Sequence, residues 1–374
     1  MPTGSHGLAT LMAGAHAIAT HRAVAELRAG RPVLLDRPAG PTLVAAADTI
    51  SPTLFAAFHA MPGASLLLTA QRAAAIGLGG GAPVIIPLAG LTQARAEALA
   101  AASGADVAGI RAQPATDPAD AVLDLCKRAH LLPAAMVAPC AAASVPAIVQ
   151  RLSDLDLAAC GPGGPGATDA GLEIVSSATV PLGAVPTRFV VFRSEASARD
   201  QVAVVIGDPD PADTVPVRLH SACLTGDLFG SLRCDCGQQL RQTMEALHAG
   251  GVLLYLDQEG RGIGLRNKMR AYALQDTGLD TIDADRVLGY GPDERRYGIA
   301  AEMLRCLGYR RVRLLTNNPE KLAALARAGI EVAGHSPLLA PVTPENRRYL
   351  AAKAARGGHM LEKLFGPLAG SVTE

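Results

Sequence analysis

The sequence predicts an α/β chain built as two domains, and three observations carry that expectation. The chain has 374 residues, enough for two cores of ordinary size. Short apolar runs alternate with Ala-rich helical stretches through the first half. In the second half, β-branched runs are punctuated by glycine turns and capped helices.

In order, AVAELRAGRPVLLD reads as a helix end, a turn at Gly30 to Pro32 and a buried strand at Val33 to Leu35. SLLLTA and PVIIPL are further strands bounded by Gly or Pro. Around Cys160 the composition changes to CGPGGPGATDAG, a loop with no apolar period. The paired runs RFVVFRSE and QVAVVIGD suit two strands of the second domain, so the boundary is expected near residue 175. Leu240, Met244 and Leu247 form a helical face that stops at Gly250 and Gly251. VLLYLDQEGRGIGL is a strand, a glycine-rich turn and a new helix running through Asn267 to Asp276. Its Gly260, Gly262 and Gly264 miss the spacing of a dinucleotide loop. Arg295 to Leu307 is expected as a helix, and VRLLT as a strand. NNPEKLAALARAG is a helix with Asn318 at the N-cap and Pro319 at N1. Strand, turn and helix start at Thr316 to Lys321 make a candidate anion cradle.

Lys+Arg and Asp+Glu both total 34, Trp is absent and aromatics make up 3%. That balance argues against wholesale binding of nucleic acid or an anionic membrane. Seven cysteines, an odd number, without a secretory signature point to a reducing, cytoplasmic compartment. No apolar run is long and clean enough to span a bilayer.

The chemistry concentrates in RLHSACLTGDLFGSLRCDCGQQL, residues 218–240. Cys223, Cys234 and Cys236 have the look of a metal site with one position left open. Thiolates bind Zn²⁺ well, and an ion with three protein ligands can carry a water of lowered pKa. Two other readings stand beside it: small buried apolar cysteines, or a closed structural site completed by His220.

Together with QEGRGIGLRNKMRAYALQDTGLDT, GYGPDERRYG and LLTNNPEK, that segment resembles the motif series of GTP cyclohydrolase II, over about the C-terminal half of the chain. The resemblance implies a mixed sheet with flanking helices over 176–374, one Zn²⁺ on the three cysteines, and a homodimer. Its reaction converts GTP to 2,5-diamino-6-(5-phospho-ribosylamino)pyrimidin-4-one, formate and diphosphate, the first step of riboflavin synthesis. It further implies nucleotide contacts from Arg218, Leu219, His220, Ser221, Ala222, Gln239, Glu259, Gly260, Arg261, Thr281, Thr316 and Lys321. Tyr272 matches the family tyrosine that orients water or protonates a leaving nitrogen. Asp293 matches the proton acceptor. Arg295 matches the group acting at the α-phosphorus, either as nucleophile or as a stabiliser of transition-state charge. Mg²⁺ on the triphosphate is expected, without a dedicated protein cage.

Two positions depart from the family pattern, Ala222 in place of an acidic residue and Asp257 in place of arginine. They leave a second reading open, a zinc-stabilised nucleotide-binding paralogue without full turnover. Residues 1–175 resemble dihydroxybutanone phosphate synthase through HRAVAELRAGRPVLLD and ADTISPTLFAAFHA. That family's acidic stretch is replaced here by LLDRPAGPT, whose one carboxylate is Asp36, so a non-catalytic domain is expected.

Overall fold

A computed structural model describes residues 15–160, 172–194, 197–339, 341–347 and 360. The loop expected around CGPGGPGATDAG lies largely outside the described residues. The elements are α1 (Ala15–Arg28), β1 (Val33–Leu35), β2 (Thr42–Ala46), α2 (Pro52–His59), β3 (Ser65–Leu68), α3 (Ala70–Ala75), β4 (Val84–Pro87), α4 (Gln93–Ala101), β5 (Gln113–Pro114), α5 (Ala119–Arg128), β6 (Ala134–Pro139), β7 (Arg151–Leu152) and α6 (Asp154–Cys160). They continue as β8 (Glu173–Thr179), β9 (Thr187–Ser194), β10 (Ser197–Ile206), β11 (Val215–Ser221), α7 (Cys236–Ala246), β12 (Gly251–Leu256), α8 (Gly264–Asp276), α9 (Thr281–Val287), α10 (Gly298–Cys306), β13 (Arg311–Leu315), α11 (Pro319–Arg327) and β14 (Glu331–Ser336).

The chain forms two compact units that do not follow it linearly. The first comprises residues 1–170, 266–279 and 283–294; the second comprises 171–265, 280–282 and 295–374.

In the first unit, seven strands lie in the order β5-β4-β3-β6-β2-β1-β7, antiparallel except for β1 with β7. Alternate residues enter different cores, as a pleated strand requires. Leu66, Leu68, Met136 and Ala45 pack with Phe55 and Phe58 of α2 and Leu99 of α4. Leu67, Ala135, Val44 and Ala46 pack with Leu27 of α1 and with Val122 and Cys126 of α5. The sheet is therefore covered on both faces.

The sheet of the second unit runs β14-β13-β11-β12-β10-β9-β8. Its β8, β9, β10 and β12 are mutually antiparallel, whereas β12, β11, β13 and β14 are parallel. One face packs Val217, Leu219, Leu254 and Leu314 against Ile299, Met303 and Leu304 of α10 and Leu325 of α11. On the other face, Val204, Leu253 and Leu315 meet Leu247 and the α7 side chains Leu240 and Met244. In open parallel sheets ligands bind beyond the carboxyl ends of the strands. Here those ends are Ser221, Leu256 and Leu315, and they lead into the three motif segments.

One element differs from expectation. The helix expected from Arg295 begins only at Gly298. Arg295 to Tyr297 are irregular, and the Arg295 guanidinium sits 5.5 Å from the centre of the Tyr297 ring, a cation–π contact in place of a first helical turn.

Candidate active site

The polypeptide leaves β11 at Ser221, makes a turn over Leu224–Leu228, and returns to start α7 at Cys236. That path brings the ligand atoms of Cys223, Cys234 and Cys236 within 4.8 Å of one another. The Cys223 and Cys234 sulfurs are 3.6 Å apart. Zinc–sulfur bonds of about 2.3 Å in a tetrahedron set sulfurs about 3.8 Å apart, so the spacing fits one shared ion. Gly226 lies against the cluster: a Cβ there would stand 3.0 Å from the Cys223 and Cys234 sulfurs and 3.1 Å from Cys236 Cβ. Its N–H points at Cys223 Sγ, at 3.4 Å.

The electrostatics match the geometry. Beside the Cys223 sulfur, the Cys234 thiol is pushed up to about 11, and Cys236, half-buried and crowded by the other two sulfurs, is raised well above the usual thiol range. Three thiols this close resist ionisation together unless a cation lies among them.

His220 does not complete the set; among the described residues, no fourth His, Cys, Asp or Glu joins the group. Its Nε2 lies 3.0 Å from both carboxylate oxygens of Asp227, and its ring stacks on Tyr255 at 5.6 Å. Burial pushes its pKa down despite Asp227. Asp227 also accepts from the Cys223 N–H (2.9 Å) and the Tyr255 hydroxyl (2.9 Å), so it fixes the first cysteine's backbone. Burial and the neighbouring carboxylate raise the Tyr255 phenol.

Around the sulfurs stand buried cations. Arg218 on β11 donates to the Leu315 carbonyl (2.8 Å) and to Gln239 Oε1 (2.5 Å). Burial pushes its guanidinium down to about 10, opposed by Asp235 and Cys236. Its Nε is enclosed and has no hydrogen-bond partner among the described residues, and the same holds for Ser221 Oγ and His220 Nδ1. Lys321 on α11 donates to the Leu219 carbonyl at 2.7 Å. Lys321 and Arg295 each lie 5.5 Å from the centre of the Tyr297 ring, which gathers both cations at one aromatic.

The remaining predicted residues divide. Thr316 Oγ1 accepts from Asn318 N–H at 3.0 Å, and Asn318 caps α11. Glu259 is buried, and its carboxylate accepts from the N–H of Leu224 (2.6 Å) and of Gly260 (3.1 Å), tying the β12 turn to the cysteine loop. Gly260 and Arg261 both adopt left-handed backbone, φ 62° and 63°. That conformation is costly for arginine and typical of functional turns. Ala222 N–H donates to the Leu256 carbonyl at 2.8 Å, and Asp257 N–H donates to Gln201 at 2.9 Å. Thr281 opens α9 in the second unit, whereas Tyr272 on α8 and Asp293 before α10 belong to the first. Sequence reasoning missed Asp227, Tyr255 and Tyr297. The spacing of Asp227 four residues after Cys223, and of Tyr297 two after Arg295, was the available signal.

Comparison with known proteins adds independent findings. The family model described as GTP cyclohydrolase II matches residues 173–337. The chain is 45% identical to a GTP cyclohydrolase-2 of Xylella fastidiosa (strain 9a5c), over 92% of this chain and 88% of that protein. It is 42% identical to a GTP cyclohydrolase-2 of Azospirillum brasilense, over 91% of this chain and 94% of that one. It is also 48% identical to the riboflavin biosynthesis protein RibBA of Thermotoga maritima, over 51% of this chain and 49% of the other.

Proposed function

This chain belongs to the GTP cyclohydrolase II family, and from that premise we propose that it hydrolyses GTP to 2,5-diamino-6-(5-phospho-ribosylamino)pyrimidin-4-one, formate and diphosphate. The step would open riboflavin synthesis, the process named for a relative that shares half of the chain. The observation that carries the reading is the sulfur group itself, three cysteines in mutual range with no fourth ligand among the described residues.

Cys223, Cys234 and Cys236 would hold Zn²⁺, which when bound supplies a Lewis acid and a water of lowered pKa for hydrolysis at carbon eight of the imidazole ring. The chain's own groups do the rest. Asp227 holds the backbone of Cys223, and Glu259 holds that of Leu224, so the loop is set before substrate arrives. Tyr272 exchanges a proton with the opening ring. Arg218, Lys321 and Arg261, with the hydroxyls of Thr281 and Thr316, meet the nucleotide's anionic groups, and Gln239 and Glu259 meet base or ribose edges. The segment Leu219 to Ala222 lines the nucleotide beside the sulfurs. Arg295 stabilises charge at the α-phosphorus as water attacks it and diphosphate leaves, because a guanidinium keeps its proton, and Asp293 accepts the proton of that attacking water. Mg²⁺ accompanies the triphosphate.

Residues 1–175 would be a domain with the dihydroxybutanone phosphate synthase fold and without its chemistry, and 176–374 the catalytic domain. Asp36, the sole carboxylate of LLDRPAGPT, is engaged by Arg151 at 2.9 Å. We place the working enzyme in the cytoplasm as a homodimer, with no nucleic-acid or membrane partner. No helix among the described residues is long and apolar enough to cross a membrane.

The test is product analysis by mass on GTP with the zinc-loaded chain and Mg²⁺. The diaminopyrimidinone phosphate is expected. GTP retained intact on the protein would instead favour the zinc-stabilised nucleotide binder.

A further inference from the structure

Residues 266–279 and 283–294, which carry Tyr272 and Asp293, belong to the first unit, and groups from the N-terminal part of that unit hold them in place. Asp48, with a side chain 2% exposed, accepts a fork from Arg270: Nη2 to Oδ1 at 2.5 Å and Nη1 to Oδ2 at 3.1 Å. Arg266 adds a contact at 3.4 Å. Asn267, wholly buried, donates to the His130 carbonyl (3.0 Å) and to the Tyr290 hydroxyl (2.8 Å), which itself donates to the Leu131 carbonyl (2.6 Å). His130 takes left-handed backbone (φ 54°) to present that carbonyl.

The return limb is pinned the same way. Arg72, wholly buried, donates to the Val287 carbonyl at 2.7 Å, and Thr69 donates to the Gly289 carbonyl at 2.8 Å. Finally, Lys127 Nζ reaches Glu294 Oε1 at 2.7 Å, and the same oxygen accepts from Gly291 N–H at 2.7 Å. Glu294 is the residue between Asp293 and Arg295.

Apolar packing alone would seat a helix while leaving its rotation and translation loosely set. A bidentate arginine fork fixes both. Arg270 and Tyr272 are two positions apart on α8, about 200° around its axis, so the fork also sets the direction in which Tyr272 leaves the helix.

We propose that the first unit acts on the GTP reaction through these internal anchors, Asp48 fixing the helix that bears Tyr272 and Lys127 fixing the turn that bears Asp293. The proposal rests on the roles given to those two residues above. Misplacing a reacting group by about 1 Å costs on the order of 100-fold in rate, which is the scale at which such anchors matter.

The test uses the full zinc-loaded chain with Lys127→Met, Lys127→Arg and Asp48→Asn, measuring zinc content, kcat and KM for GTP, and formate and diphosphate separately. Lys127→Met should keep its zinc and hold KM within about twofold while kcat falls about tenfold or more, and Lys127→Arg should regain most of the loss. Diphosphate release should suffer more than formate release in Lys127→Met, and formate release more in Asp48→Asn. Should Asp48→Asn fail to fold, the two Lys127 variants carry the test. Parental kcat in Lys127→Met, or equal loss of both products with a raised KM, overturns the positioning role while leaving the function intact. A parent chain that releases no formate overturns the functional reading, and the positioning role with it.

Discussion

Gly237, at the start of α7, packs so closely on Gly226 that a Cβ would stand 2.0 Å from the Gly226 carbonyl oxygen. The loop that carries Cys223 and the helix that begins at Cys236 thus touch backbone to backbone, which brings the sulfurs into mutual range. Gly237→Ala should separate them, costing about 1–3 kcal/mol of stability together with zinc. In Gly226→Ala the new methyl meets the sulfurs at 3.0 Å, so the fold should survive while zinc affinity falls about 10- to 100-fold. Competition with a chromophoric chelator measures both; unchanged affinity in Gly226→Ala would place the metal elsewhere.

Metal binding should release protons. Crowding by the neighbouring sulfurs pushes the Cys234 thiol up to about 11 and raises Cys236 well above the usual thiol range, so both carry protons at neutral pH until a cation displaces them. Zinc affinity is therefore expected to rise with pH across 6 to 8, about tenfold or more per pH unit. Calorimetry in buffers of different ionisation enthalpy counts the protons. A pH-independent affinity would mean that the thiols are not the ligands.

Arg295→Ala should cut diphosphate release about 1000-fold, the scale on which a charge-stabilising arginine acts, while GTP binding changes little. Arg295→Lys tests the charge-stabilising role assigned to this residue. A lysine keeps the charge and should retain a fraction of turnover if stabilisation is the role. Quench-flow measurement of diphosphate reads both variants.

The Asp48 carboxylate is buried, but the Arg270 fork outweighs the burial and holds its pKa below the usual value. A depressed carboxylate stabilises the fold above its unfolded pKa, about 3.9, and that stability is lost as pH falls through the folded value. Asp48→Asn should therefore destabilise by about 1.5–3 kcal/mol at pH 7, and the gap to the parent should close below about pH 4. Thermal melts across that range check the sign.

Much of this was legible in the sequence, and the reasons differ by element. Asn318 and Pro319 announce α11 because capping is local chemistry, and the Asn318 side chain accepts from Glu320 N–H at 3.0 Å as expected. The strands RFVVFRSE and QVAVVIGD follow from their β-branched runs, and the cysteines from their spacing. Long-range partners were not legible. Nothing local in YLDQEG says that Tyr255 and His220 stack, or that Glu259 closes the cysteine loop. The irregular stretch at Arg295 was hidden for the same reason, since its cation–π contact with Tyr297 competes with a helix that local propensity favours. Likewise, Asp48 sits more than 200 residues from Arg270, and no period in the chain reports such a pairing.

The central claim is that three cysteine sulfurs hold one zinc and that GTP is opened there. Formate released per GTP consumed, measured for the zinc-loaded parent and for Cys234→Ser, tests it most directly. One formate per GTP from the parent, with neither zinc nor formate in the variant, is the predicted result. Formate at the parent rate from Cys234→Ser, or nucleotide binding by the zinc-loaded parent without formate, would contradict it.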